Sequence, residues 1–327
     1  MSCRAYIALY ESGELKNRAA ELNRRLHTCD ICPRSCHVNR LESNQGFCRS
    51  GRLISISSYC AHHGEEPVLS GIKGSGTIFF RHCNLKCTYC QNHQISQQDE
   101  PSSYNVDSKG LARMMLSLQD DLHCHNINLV SPSHYVPQIV EAIHDAVPMG
   151  LRVPIIYNTN GYDAVDTLKM LDGIIDIYLP DIKYASNRLA DKFSQGNNYV
   201  RYNRLAIQEM FRQVGNLATD DDGMAQKGLI VRHLILPNNI AGSADSLKWL
   251  ATTVSRDTTI SVMAQYYPCY LAEREPLLSR KITSKEYRQV TALLGKLNLE
   301  NGWLQEMDAA EYYLPDFNRK LHPFSVR

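Results

Sequence analysis

The stretch GTIFFRHCNLKCTYCQN, residues 76–92, joins an apolar run to three closely spaced cysteines. Residues 76–80 read as a strand buried on both faces, and the cysteines follow it at once. Cys83, Cys87 and Cys90 have the spacing C-x3-C-x2-C. Three thiolates in so tight a loop can bind three irons of a [4Fe-4S] cubane, leaving the fourth iron without a protein ligand. The alternative is a closed zinc site with His82 or His93 as fourth ligand, although zinc loops usually pair two knuckles across a longer gap. Asn84 and the loop amides are candidate hydrogen-bond donors to the sulfurs, and Tyr89 is placed to shield them from solvent.

Five more apolar runs follow: NINLV (126–130), VPIIY (153–157), IIDIYL (174–179), GLIVRHLIL (228–236) and TISVM (259–263). Helical spacing fills the gaps. Leu111, Met114, Met115 and Leu118 share one face, as do Val136, Ile139, Val140 and Ile143, and further helices are predicted at 163–171, 203–214, 243–254 and 284–297. Apolar strands separated by helices predict a parallel sheet wrapped by helices, and six such units make an incomplete (β/α)6 barrel. Chemistry in such folds gathers at the C-terminal ends of the strands. The residues there are the cysteine loop, Ser131 to Tyr135, Asn158 to Gly161, Asp181 and Lys183, Pro237 and Asn238, and Gln265 and Tyr266. Arg232 stands inside the fifth apolar run, where an unpaired guanidinium would be costly.

Cysteines crowd into residues 29–90 and thin out afterwards. The division this suggests is a small Cys-rich module over residues 1–73, then a barrel with a C-terminal extension over 74–327. A short helix is predicted over Leu15 to Leu26. In the module, CDICPRSCHVNR (29–40) and GFCRSG (46–51) bring Cys29, Cys32, Cys36 and Cys48 together, which suits either a structural zinc or a second iron–sulfur cluster. Cys60 and HHGEEP (62–67) are expected to cap that site. Cys3, Cys124 and Cys269 read as packing, and Tyr266, Tyr267 and Tyr270 as lining of the barrel mouth.

With 327 residues, 43% hydrophobic and 21% charged, the chain has the composition of a soluble protein with a full core. Its formal net charge of +1 offers no field to draw nucleic acid or an acidic membrane surface. No apolar run is long enough to span a bilayer, and Glu11, Glu14 and Glu21 interrupt any export signal. A cytoplasmic location is therefore expected, where eleven cysteines stay reduced and clustered ones serve as metal ligands rather than disulfides.

The cysteine spacing, with an aromatic residue before the last cysteine, resembles the signature of radical S-adenosylmethionine enzymes. HNINLVSPSHYVPQI (125–139), YNTNGY (157–162), DIYLPDIKY (176–184), VRHLILPN (231–238) and MAQYYP (263–268) together resemble the branch related to pyruvate formate-lyase activating enzymes. The resemblance implies an oxidoreductase whose open iron binds S-adenosylmethionine and whose 5′-deoxyadenosyl radical abstracts hydrogen from a protein or peptide. A small metabolite is the alternative substrate, and a non-enzymatic metal-binding module the second alternative. It further implies a flavodoxin or ferredoxin as electron donor.

By the same resemblance, Lys183 pairs with the methionyl carboxylate and Asp181 meets the ribose or positions a peptide. Asn160 and Gln265 lie on the cofactor, and Arg232 holds a carboxylate with its fork. Two departures stand out. Many members carry Gly-Gly-Glu after the second strand to receive the methionyl amine, where this chain has SPSH (131–134). Ser131, Ser133 or backbone carbonyls are the candidates to replace it, and His134 points to a different need. Related activases with extra cysteines carry them after the radical motif, whereas here they come before it.

Overall fold

The structure is a computed structural model describing residues 4–42, 45–98, 104–307, 314–317, 319 and 323–324. In chain order the strands are β1 (Ile54–His62), β2 (Ser75–Phe80), β3 (Tyr104–Val106), β4 (Ile127–Val130) and β5 (Ile155–Thr159). Then come β6 (Ile177–Pro180), β7 (Ala218–Thr219), β8 (Ala225–Leu234), β9 (Thr259–Met263) and β10 (Gly302–Leu304). All six predicted strands are present, as β2, β4, β5, β6, β8 and β9.

These six lie side by side in chain order, each parallel to the one before. A sheet that always adds its next strand on the same side places every right-handed crossover on one face. Helices therefore coat the outside and the sheet curls inward, giving an incomplete (β/α)6 barrel. β10 adds a short parallel strand beyond β9, while β1 pairs antiparallel with β2 and β3 with β1 at the other end. Within residues 1–73, β1 thus belongs to the same sheet as the barrel strands. No helix among the described residues is long and apolar enough to cross a membrane.

Alternation along β8 shows how the strands divide their side chains. Leu229, Val231 and His233 enter the outer core between sheet and helices, while Ile230 and Arg232 point inside the barrel. His233 bonds the Ile182 carbonyl and the Ser243 hydroxyl, each at 2.9 Å, and burial pushes it down to about 4, so it is a neutral structural group. Leu69, Ile156, Ile177, Leu179, Ala225 and Ile230 fill the bottom of the barrel, with the short helix Pro67–Ser70 supplying Leu69 as a plug.

The outer helices follow the apolar spacing. Ser108–Leu116 starts where Asp107 caps Gly110 N, and Ser284–Leu297 starts with a capping box between Thr283 and Glu286. Helix Glu14–Arg24 packs on Val136–Ala146, fixing the N-terminal segment to the barrel wall.

Candidate active site

The ends of the parallel strands enclose one cavity of about 440 Å³. Cys83, Cys87 and Cys90 line it, together with Tyr89, Ser131, Asn160, Asp181, Lys183, Arg232 and Gln265. Residues up to 182 positions apart in sequence thus meet because parallel strands deliver their C-terminal ends to one rim.

Each sulfur has its own hydrogen-bond partner. Asn160 Nδ2 lies 3.3 Å from Cys83 Sγ and Leu85 N lies 3.4 Å from it; Ser194 Oγ is 3.0 Å from Cys87 Sγ, and Ser96 Oγ is 3.3 Å from Cys90 Sγ. The expectation for Asn84 is corrected. Its amide donates to the Tyr162 carbonyl at 2.7 Å and accepts from Asn160 at 2.8 Å, so Asn160 serves the sulfur instead. Burial pushes Cys87 up to about 12 and Cys90 to about 11, so these thiols are poor bare nucleophiles, and holding a metal would require their ionisation.

Neither His82 nor His93 lines the cavity. His82 sits in left-handed backbone, its amide bonded to the Ile95 carbonyl, while His93 is bonded to the Cys90 carbonyl and stacked on Tyr270. Cys269 lies behind the loop, near the carbonyls of Tyr89 and Cys90. The loop therefore presents three sulfurs to open space. Among the described residues, no three His, Cys, Asp or Glu side chains are grouped to hold a metal ion; a cubane at the loop would give each thiolate its own iron.

Lys183 Nζ bonds Asp181 Oδ2 at 2.5 Å. Burial alone would lower the ammonium, but Asp181 and the nearby Cys87 outweigh it and raise Lys183 above its ordinary value. Tyr199 braces the pair: its hydroxyl accepts from Lys183 N and lies 2.9 Å from the Asn160 carbonyl.

The turn holding Asn160 depends on Gly161, whose φ is +75°. A Cβ there would collide with the Asn203 side chain and the Asp181 carbonyl. Gly161→Ala is therefore expected to destabilise the fold by about 2–4 kcal/mol in denaturant titrations, well beyond an ordinary surface change.

At the base of the cavity Arg232 meets two carboxylates that the sequence reading placed elsewhere. Its Nε and Nη2 bond Glu66 at 2.8 and 2.7 Å, and Nη2 also bonds Glu65. Asn128 Nδ2 holds Glu65 at 3.0 Å. Burial would raise Glu66, but the guanidinium overcomes it and holds that carboxyl below its ordinary range. The fork of Arg232 is thus filled by the chain's own acids. HHGEEP accordingly belongs to the barrel cavity rather than the N-terminal cysteines, and Cys60 packs with Phe79, Ile95 and Phe317 in the core. The only hint in sequence was a pair of adjacent acids beside buried apolar residues.

Other expectations are redistributed. Ser131 lines the cavity, but Ser133 bonds Thr159 away from it. His134 is buried, 2.9 Å from the Arg81 carbonyl, and burial pushes it down to about 3, so it is a neutral packing group. Tyr266 is buried with its hydroxyl on the Leu278 carbonyl, Tyr267 lies under Lys281 and Tyr270 under His93; none lines the cavity mouth. At that mouth Gln91, Gln265 and Gln305 form an amide network instead. Cys124 is buried in the core, and Cys3 lies outside the described residues.

Cys29, Cys32, Cys36 and Cys48 line a second, enclosed pocket of about 10 Å³. Burial, then the neighbouring Cys48, raises Cys32 far above the ordinary thiol range.

No family model matches the chain. An uncharacterized protein of Methanocaldococcus jannaschii is 29% identical over 282 residues, which cover 83% of this chain and 75% of the relative. Among solved structures, HydG, a maturase of the [FeFe]-hydrogenase, superposes with a TM-score of 0.43 and 11% identity over 67% of this chain. Methylornithine synthase (PylB) gives 0.41 and 16% over 68%. TYW1 with a lysine–pyruvate adduct bound gives 0.42 and 12% over 76% of this chain and 83% of TYW1. The chain spans 47% of HydG and 61% of PylB, under two thirds of each.

Proposed function

We propose that the chain is a radical S-adenosylmethionine enzyme of the activase-like type, abstracting hydrogen from a protein or peptide. The observation that carries this reading is the cysteine loop, three hydrogen-bonded sulfurs opening onto a cavity that neither His82 nor His93 lines. Cys83, Cys87 and Cys90 would hold a [4Fe-4S] cluster, which when bound would supply the one electron needed to cleave S-adenosylmethionine for hydrogen abstraction from the substrate.

The chain's residues do the holding. Lys183, fixed by Asp181, meets the methionyl carboxylate as a charge-assisted donor. Asn160 and Ser194 tune the sulfurs, and Tyr89, packed against Tyr184 and Tyr266, keeps water from them. Ser131, which lines the cavity, would receive the methionyl amine in place of Gly-Gly-Glu, and the glutamine network would contact the adenosine. A flavodoxin or ferredoxin delivers the electron. The N-terminal cysteines form a second metal site.

A small metabolite is the second reading. It is favoured by the convergence of Glu65, Glu66 and Arg232 at the base of a cavity of ligand size.

The test is anaerobic reconstitution with iron and sulfide, reduction with dithionite, and detection of 5′-deoxyadenosine by mass spectrometry. Absence of that product from cluster-loaded protein overturns the reading. Lys183→Met is expected to weaken S-adenosylmethionine binding about 10–100-fold in equilibrium dialysis, the worth of one charge-assisted bond. Unchanged affinity removes Lys183 from the cofactor.

A further inference from the structure

The N-terminal cysteine pocket carries more than a fold-stabilising ion requires. Arg40 is 1% exposed, and its donors go to the carbonyls of Ser50, His134 and Gly51 and, at 3.9 Å, to Cys29 Sγ. Among the described residues no carboxylate pairs with it. An arginine stays protonated, and a buried cation without an anion is strongly unfavourable. The groups beside it that can supply negative charge are the cysteine sulfurs, and four thiolates on a metal centre carry a net negative charge. Phe47 N, 3.5 Å from Cys36 Sγ, is a further donor of the kind that stabilises a thiolate.

The pocket also touches the cysteine loop. Arg34, two residues after Cys32, donates from Nε to the Asn84 carbonyl at 2.9 Å, and Asn84 directly follows Cys83. The Arg34 guanidinium lies 3.6 Å over the ring of Phe47, which precedes Cys48, and 5.2 Å from that of Tyr162. Asn84 Nδ2 in turn bonds the Tyr162 carbonyl at 2.7 Å. From Cys32 to Cys83 the path is covalent except for one hydrogen bond. Zinc has no accessible redox state and would leave such a path without use.

We propose that Cys29, Cys32, Cys36 and Cys48 hold a second iron–sulfur cluster that relays single electrons to the cluster loop across the Arg34–Asn84 bridge. The step moves one electron only. A low-potential flavin or iron–sulfur protein is oxidised by one electron, the cluster at the loop is reduced by one, and no proton or group is transferred. Its use rests on the radical reading above, whereas the metal content can be tested apart from it.

The experiment compares wild type with two variants after anaerobic reconstitution with iron and sulfide. One variant, Cys83→Ala/Cys87→Ala/Cys90→Ala, loses the loop thiols and keeps Cys29, Cys32, Cys36 and Cys48; the other, Cys32→Ala/Cys36→Ala, keeps the loop. The first is expected to keep about four irons and to show a reduced-cluster electron paramagnetic resonance signal. Fully reduced wild type is expected to show about eight irons and a spectrum broadened beyond the sum of the two variants, by coupling between neighbouring clusters. Zinc without iron in the first variant overturns the proposal and leaves the radical reading standing, as does an unbroadened wild-type spectrum. Wild type without iron at the loop overturns the radical reading itself. Should a variant fail to fold, the iron count and coupling in wild type decide alone: about four irons or no coupling overturns the relay.

Discussion

Replacing Cys87 with alanine is expected to abolish cluster binding at the loop and to cut 5′-deoxyadenosine formation by about a thousandfold or more, to background. Cys87 is buried beside Ser194, and losing one small buried side chain costs the fold only about 1 kcal/mol, so the variant should remain folded by circular dichroism. Ser194→Ala provides the contrast. It removes the 3.0 Å hydrogen bond to the sulfur and the 2.6 Å one to the Tyr184 hydroxyl but no cysteine, so iron should be retained. The potential should become more negative, because a donor to sulfur favours the reduced, more anionic cluster. Unchanged activity in the Cys87 variant would remove the loop from the chemistry.

The second large effect is expected at Arg232. Its guanidinium is 15% exposed, and its partners Glu65 and Glu66 are 7% and 4% exposed. Arg232→Met leaves two buried carboxylates without their cation, at a cost of about 3–5 kcal/mol in denaturant titrations near neutral pH. The pH dependence should reverse as well. In wild type the Glu66 carboxyl is held below its ordinary value, so its contribution is complete above the usual carboxylate range and is lost as pH falls through the lowered value. Without Arg232, burial dominates and protonation relieves the strain, so the variant should gain stability on acidification where wild type loses it. Equal unfolding midpoints at neutral pH would reduce the cluster to incidental contacts.

Much of the barrel was legible because each central strand of a parallel sheet is covered on both sides and reads as a continuous apolar run. β1, ISISSYCAH, escaped notice because its polar residues interrupt that pattern, and β10 because three residues carry no period. Asn187–Ser194 was missed for similar reasons: eight residues with few apolar positions. The site residues after each strand were legible because topology alone sends them to one rim. Glu65 and Glu66 were not. They precede the first parallel strand and reach Arg232 across 166 residues or more, a contact that no local pattern encodes. The exchange of roles between Asn84 and Asn160 has the same origin, since which amide reaches a sulfur is decided by how two loops pack rather than by proximity in sequence.

The central claim is a vacant iron corner facing the cavity. Mössbauer spectroscopy of protein reconstituted with isotopically enriched iron, recorded with and without S-adenosylmethionine, addresses it most directly. One iron site is expected to shift toward higher coordination when the nucleotide is added, while the remaining sites stay unchanged. Spectra identical in both samples, or a loop filled by tetrahedral zinc in place of iron, would contradict the account.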